Sequence, residues 1–204
     1  MYRRGDRHLR DGSCEQPTAW AKLVLLMLVH GFDMHRVFIS GPGDLAAEKE
    51  QCRAVLSQIN EAEAMPGKIL LVSVGLPNEA LVESHRGPVA DNIRQCAFFI
   101  QIFEDDWGPK NLMRKMFFLA YDSRADQALP MREVVIFLKD APRESDPDIL
   151  AFRKELADLP DVRVATFKTV AELGSALRAV ASGWVVRLKQ DAVDGSTAAA
   201  SSGV

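Results

Sequence analysis

The sequence predicts an α/β fold in which five parallel strands form a doubly wound sheet flanked by helices, with strand order 2-1-3-4-5. Apolar runs of strand length alternate with segments of helical periodicity, which is the pattern of βαβ units. Three of the runs are nearly continuous in β-branched or aromatic residues, as is typical of strands that helices cover on both faces. The 204 residues are 48% hydrophobic and 26% charged, a composition that suits one globular domain with tails.

The apolar runs predict five strands, which span residues 36–40, 69–74, 97–103, 133–138 and 162–167. Two amphipathic stripes predict crossover helices, the first formed by Leu45, Cys52, Val55, Leu56 and Ile59 and the second by Val170, Leu173, Leu177, Val180 and Ala181. Shorter helices are predicted near 88–95, 112–122 and 147–156. Because the winding of such a sheet reverses between strands 1 and 3, ligands are expected at the carboxyl ends of those two strands.

The two ends of the chain differ from the middle. Residues 1–33 carry basic side chains and then an apolar run, 23–29, that is too short to span a bilayer. Acidic residues precede this run and no small-residue cleavage pattern follows it, which is atypical of a signal peptide. We therefore expect an extension at 1–33 before a domain at 34–189. Residues 190–204 are rich in Ala, Ser and Gly, which predicts a disordered tail.

Charge and cysteine content exclude several classes of protein. The 25 basic and 28 acidic residues leave a net charge of -3, which gives no general basic surface for nucleic acid or an anionic membrane. The three cysteines form no C-x-x-C pair, so neither a disulfide framework nor a zinc site is predicted. The four histidines also lack the spacing of metal ligands. Reduced thiols in a cytoplasmic protein fit this pattern best.

The first candidate binding loop follows strand 1 and consists of Ser40, Gly41, Pro42, Gly43 and Asp44. The two glycines allow a close backbone approach, and Asp44 is a suitable N-cap for the next helix. Backbone N–H groups at such a helix start can bind a phosphate. The loop has neither the P-loop spacing nor G-x-G-x-x-G, however, so a plain structural turn remains the alternative interpretation.

The second candidate loop follows strand 3 and contains Glu104, Asp105, Asp106, Trp107 and Gly108. Carboxylates and an aromatic ring at this position are suited to a ribose hydroxyl and a stacked base. The alternative is a solvated acidic turn in which Trp107 covers the sheet edge. Asp105 and Asp106 would suit a divalent metal only with a third ligand, and the sequence predicts none.

A third, weaker candidate is the long loop 75–87 after strand 2. Long ordered loops are often functional, and Arg86 in this loop could pair with a phosphate. The alternative is that Arg86 and its neighbour His85 form ordinary solvated surface.

Several of these segments together resemble a TIR-like domain. They are the run RVFISGPGDL at 36–45, the acidic start of the next helix at 48–50, the segment DNIRQC at 91–96, and the pair Trp107 and Gly108. More narrowly, they are similar to a family of unknown function with the opening motif V-F-I-S-x-x-x-D-L-x-x-E-R, which occurs in bacterial signalling and defence proteins and in NACHT-type NTPases. The similarity covers residues 34 to about 188.

The resemblance implies a flavodoxin-like fold and a signalling module that associates with itself or with a separate effector protein. It also implies a nucleotide crevice, with NAD or a related nucleotide as ligand rather than as a required cofactor. In TIR enzymes a glutamate on the helix after the third strand unit serves the cleavage of the nicotinamide bond of NAD. Here the helix segment 112–121 contains no carboxylate, and Arg114 and Lys115 would oppose a positively charged transition state.

We therefore predict that the chain does not hydrolyse NAD. The alternative is an NAD- or nucleotide-processing hydrolase that uses Glu104 or Asp105 as a substitute carboxylate. An enzyme that processes nucleotide sugars or deoxyribonucleosides is a third hypothesis, which rests on fold analogy alone.

Overall fold

The computed structural model describes residues 31–75, 86–105, 107, 111–141 and 146–201. Contacts divide the chain into two units, Met1–Phe32 and Asp33–Val204, and all elements given below belong to the second unit. Of the first unit, only Gly31 and Phe32 are described. The predicted extension therefore lies almost wholly outside the described residues.

The described residues form five strands and five α-helices in alternation. The strands are β1 (Asp33–Ser40), β2 (Ile69–Val74), β3 (Phe98–Phe103), β4 (Glu133–Lys139) and β5 (Val162–Phe167). The helices are α1 (Ala46–Ile59), α2 (Arg86–Arg94), α3 (Leu112–Ala125), α4 (Pro147–Asp158) and α5 (Val170–Ser201). A 3₁₀ turn at Gly43–Leu45 leads into α1, and a π-helical turn at Asn60–Ala64 and a 3₁₀ turn at Met65–Gly67 follow it.

All strand pairs are parallel, and the order is β2-β1-β3-β4-β5. This confirms the predicted doubly wound sheet and its strand order. The winding reverses between β1 and β3, whose register places Ser40 beside Gln101. The carboxyl ends of these two strands therefore start two neighbouring loops, as the sequence predicts.

The sheet separates two apolar cores, and each is covered by helices. On one face, strand residues such as Ile39 and Ile100 pack with residues of α1 and α5. Trp184 of α5 stacks on Phe98 there, with ring centroids 4.1 Å apart. On the other face, Phe99 and its neighbours pack with residues of α2, α3 and α4. Each large side chain buried in this way contributes about 1.5–3 kcal/mol, so the two cores together hold the strands in register.

The structure corrects the predicted cap of the first helix. Pro42, with φ of -60°, precedes a 3₁₀ turn in which Leu45 N–H donates to the Pro42 carbonyl at 3.2 Å, and α1 begins only after Leu45. Asp44 is exposed inside that turn, and no side-chain cap bond is made at either helix start. The tight turn delays the helix, which leaves Asp44 two positions after the N-cap of the turn, Pro42, and one position before the N-cap of α1, Leu45.

The last helix differs from the prediction at its end. α5 continues to Ser201, so residues 190–201, predicted to be a disordered tail, are helical in the structure. The added segment is rich in alanine, which has the highest helix propensity. It also extends a helix already formed by packed residues, so no new nucleation is needed. Residues 202–204 lie outside the described residues.

Candidate functional site

The candidate site lies where β1 and β3 end side by side. Ser40, Gly41 and Pro42 are buried at this edge of the sheet, whereas Gly43 and Asp44 are exposed. A Cβ atom added to Gly41 would lie 3.3 Å from the Ile102 carbonyl oxygen. A side chain at Gly41 would crowd the backbone of β3, which favours the structural interpretation for this residue.

Two buried polar side chains lie next to each other at this edge, Ser40 on β1 and Gln101 on β3. Both project to the face covered by α2, α3 and α4, since they alternate with residues of the opposite core. The Ser40 hydroxyl donates to the Met113 sulfur at 3.5 Å, which is a weak acceptor. Neither Nε2 nor Oε1 of Gln101 has a hydrogen-bond partner among the described residues.

An unsatisfied buried amide is costly, on the order of 1–3 kcal/mol, and is uncommon in native proteins. The sequence reasoning missed Gln101 because the run FFIQIF is predicted as a buried strand. One feature of the sequence could have identified it. Gln101 is the single polar residue in that run, and it lies close to the end of strand 3, where the winding of the sheet reverses.

Glu104, the first residue after β3, belongs to an ion-paired cluster. Its carboxylate lies 3.0 Å from Lys139 Nζ at the end of β4, and Lys139 also lies 3.3 Å from the buried carboxylate of Glu48 on α1. The hydrogen bond to Glu104, aided by Glu48, raises the pKa of Lys139 above its ordinary value. The Arg153 guanidinium donates to the backbone carbonyls of Glu104 and Lys139, which joins the ends of β3 and β4.

Trp107 lies at the sheet edge against α4. Its ring centroid is 4.8 Å from that of Phe103 and 4.7 Å from that of Phe152, and the Arg114 guanidinium lies over its ring at 5.7 Å. The Trp107 carbonyl also accepts a hydrogen bond from Met113 N–H at 3.0 Å, at the start of α3. Trp107 therefore covers the core on this side, which matches the alternative interpretation of its role.

The remaining predicted site residues divide into two groups. Asp105 is exposed beside Glu104. Asp106, Gly108 and the side chain of Arg86 lie outside the described residues, although the backbone of Arg86 begins α2. The structure thus brings Ser40, Gly41, Pro42 and Glu104 to one edge of the sheet with Gln101.

Two cavities in the described part of the chain lie away from the edge between β1 and β3. The larger, of about 710 Å³, lies at the carboxyl end of β2 and is lined by Arg36, Phe38, Glu50, Arg53, Ser73, Val74, Gly75 and Asn92. Arg36 is held there by Asn92 Oδ1 at 2.8 Å and by Gln95 Oε1 at 2.6 Å. This cavity neighbours the candidate site across β1, but Arg36 lies level with the start of β3, where its carbonyl accepts a hydrogen bond from Ala97 N–H, and not beside Ser40. The smaller cavity lies at the other end of the strands.

Both described cysteines are buried, which determines their reactivity. Burial raises the pKa of Cys52 to about 12 and that of Cys96 to about 11, so neither thiol forms the nucleophilic thiolate near neutral pH. Within the described ranges, no three His, Cys, Asp or Glu side chains come together in a way that could hold a metal ion. No helix in those ranges has both the length and the apolar character of a membrane span.

A scan of protein-family models and a search of curated proteins found no match to this chain. The resemblance to TIR-like domains therefore rests on the motif residues, and the fold is the α/β doubly wound sheet described above.

Proposed function

We propose that this chain is a TIR-like interaction module that binds a nucleotide where β1 and β3 end, and that it does not hydrolyse NAD. The observation that carries the proposal is the Gln101 amide, buried and unpartnered among the described residues, beside Ser40 at the reversal of the sheet. A primary amide presents a donor and an acceptor side by side, which complements the edge of a purine base or a carboxamide group.

Access to this site depends on Met113, which contacts Ser40 from the first turn of α3. A methionine side chain is unbranched and flexible, so it can move aside at low cost. A ligand group that replaces Met113 would satisfy both Ser40 and Gln101.

The charge arrangement favours binding over hydrolysis. Cleavage of a nicotinamide bond develops positive charge on the ribose, which a free carboxylate would stabilise. Glu104 is ion-paired with Lys139, which it shares with Glu48, and Arg114 of α3 adds a positive charge beside Trp107. Arg114 is in turn 3.7 Å from Glu155, a partly exposed pair that offsets little of that charge.

Thermal unfolding in the presence of candidate nucleotides tests the binding proposal. NAD, ADP-ribose, cyclic nucleotides and purine nucleotides are compared on the wild type, Gln101→Met and the exposed-loop control Gln127→Met. A ligand at 100 times its Kd adds about 2.7 kcal/mol, which corresponds to roughly 5–10 °C for a domain of this size. We expect that shift in the wild type and in Gln127→Met, and its loss in Gln101→Met.

A shift of equal size in Gln101→Met would place the ligand elsewhere, and no shift with any nucleotide would refute nucleotide binding. Sedimentation velocity with the stabilising nucleotide then tests the interaction role. We expect a second copy or a separate effector protein to associate.

Release of nicotinamide from NAD tests the prediction on catalysis. We expect no turnover above that of a buffer control. The reason is that the Glu104 carboxylate, at the end of β3, is already paired with Lys139. Turnover that is lost in Glu104→Gln or Asp105→Asn, and retained in the exposed control Asp126→Asn, would instead establish the hydrolase alternative.

A further inference from the structure

The smaller cavity, of about 670 Å³, lies at the amino ends of β4 and β5 and contains a dense set of charged side chains. Its lining includes four arginines, Arg124, Arg132, Arg163 and Arg187, and three carboxylates, Glu133, Asp161 and Asp191. We call it the arginine cavity. It is far from the candidate nucleotide site, because Glu133 and Lys139 are opposite ends of β4, about 20 Å apart at the rise of a strand.

Glu133 organises the inner part of the arginine cavity. One of its oxygens accepts a hydrogen bond from Trp184 Nε1 at 3.1 Å and pairs with Arg187. Arg163 Nε lies 2.8 Å from the other oxygen, in an ion pair without hydrogen-bond alignment. Trp184 is fully buried, so the carboxylate that holds both guanidinium groups is itself fixed to the core. One carboxylate thus serves two cations, which leaves positive charge in excess.

The outer part of the arginine cavity is held by weaker pairs. Arg124 lies 3.0 Å from Asp161, and Arg132 pairs with Asp191. Both aspartates are exposed, and ion pairs of exposed side chains contribute only about 0–1 kcal/mol each. A multivalent anion could therefore replace the two aspartates at little cost, while Glu133 keeps the inner arginines in position.

We propose that the arginine cavity binds an oligophosphate group. Arginine's planar fork matches phosphate oxygens in a bidentate way, and four such groups around one concavity suit a ligand with several negative charges. The volume lies in the range of small-molecule sites. This site does not depend on the nucleotide site proposed above.

Isothermal titration with inorganic tripolyphosphate at 0.15 M NaCl tests the proposal. We expect saturable binding to the wild type, weakened about tenfold or more in Arg163→Gln and in Arg132→Gln through loss of a charge-assisted contact. Arg178→Gln is the matched control, since Arg178 is exposed on α5 and pairs with Gln58 outside the cavity. Asp191→Asn removes a competing carboxylate and should tighten binding several-fold, an effect that a purely structural role would not produce.

Absence of binding to the wild type, or equal affinity in the wild type, Arg163→Gln and Arg132→Gln, would overturn the proposal. Tighter binding of an oligo-aspartate peptide than of tripolyphosphate would also overturn it, in favour of an acidic protein segment. Comparison with ATP identifies the source of the phosphates. If ATP binds more tightly than tripolyphosphate and its binding depends on Arg163, the ligand is a nucleotide. If the two affinities are equal, the ligand is a free oligophosphate. Gln101→Met should leave tripolyphosphate binding unchanged, which separates this site from the nucleotide site.

Discussion

Gln101 lies on β3 between β1 and β4, and its buried primary amide projects to the face of the sheet covered by α2, α3 and α4. The residues packed around it on this face are mostly apolar, and Met113 contacts the neighbouring Ser40 hydroxyl. Burial of such a group without a partner opposes folding, and this cost is the basis for the nucleotide site that we propose.

At this residue, stability and binding should change in opposite directions. Gln101→Met keeps the length and the unbranched shape of the side chain but removes the buried polar atoms. We expect the free energy of unfolding to rise by about 1–3 kcal/mol in urea denaturation without ligand. Gln127→Met, in an exposed loop, should change it by less than about 0.5 kcal/mol. Destabilisation of Gln101→Met would mean that the amide already has a partner.

At the scale of elements, α5 is the longest helix among the described residues and packs mainly on α1. Its two glycines near the packed region have different surroundings. A Cβ atom at Gly174 would lie 2.4 Å from Nε2 of Gln51 on α1, so the Gln51 side chain occupies the space beside this glycine. A Cβ atom at Gly183 would meet nothing within 4 Å.

The open position predicts a stabilising substitution. Gly183→Ala should raise the free energy of unfolding by about 0.5–1 kcal/mol, because alanine loses less backbone entropy in a helix. Gly174→Ala carries the same propensity gain but must displace the Gln51 side chain, so we expect a smaller gain or a loss. Equal gains in the two variants by urea denaturation would show that α5 does not pack closely on α1 at Gly174.

At the scale of the whole molecule, the cluster of Glu48, Lys139 and Glu104 connects α1 with the ends of β3 and β4. The cluster matters for the stability of the fold because Glu48 is buried. A buried carboxylate without a cation is strongly unfavourable. The cluster links elements on the two sides of the reversal, and Arg153 adds backbone contacts to the same two strands.

Loss of Lys139 should destabilise the fold in a pH-dependent way. Lys139→Met should cost about 2–3 kcal/mol at pH 7, less than a fully buried pair because Lys139 is partly exposed. The folded state raises the pKa of Lys139, so the wild type has this stabilisation in full below the ordinary value of 10.5 and loses it as pH rises through the raised pKa.

Urea denaturation from pH 7 to above 10.5 measures the difference in free energy of unfolding between the wild type and Lys139→Met. We expect it to be constant at first and then to shrink at alkaline pH. The exposed-helix control Lys154→Met should match the wild type throughout, and a difference that grows with pH would contradict the assignment.

Local sequence patterns were sufficient for most of the fold. The predicted strands 69–74 and 162–167 coincide with β2 and β5, because their apolar runs are bounded by clear breaks. β1 starts earlier than predicted, at Asp33, since its first residues pair with β2 although they are partly polar. The predicted N-cap at Asp44 is wrong because a 3₁₀ turn follows Pro42 and precedes α1. The spacing of apolar residues does not predict such a turn.

The sequence by itself determined the alternation of strands and helices, the parallel sheet and its order, because burial periodicity is local and crossovers have one hand. Only the tertiary structure decided which side chains meet. Glu133 and Trp184 are separated by 51 positions, and Ser40 and Met113 by 73. Such contacts depend on register and on helix rotation, which no short stretch of the chain encodes, and both proposed sites are made of them.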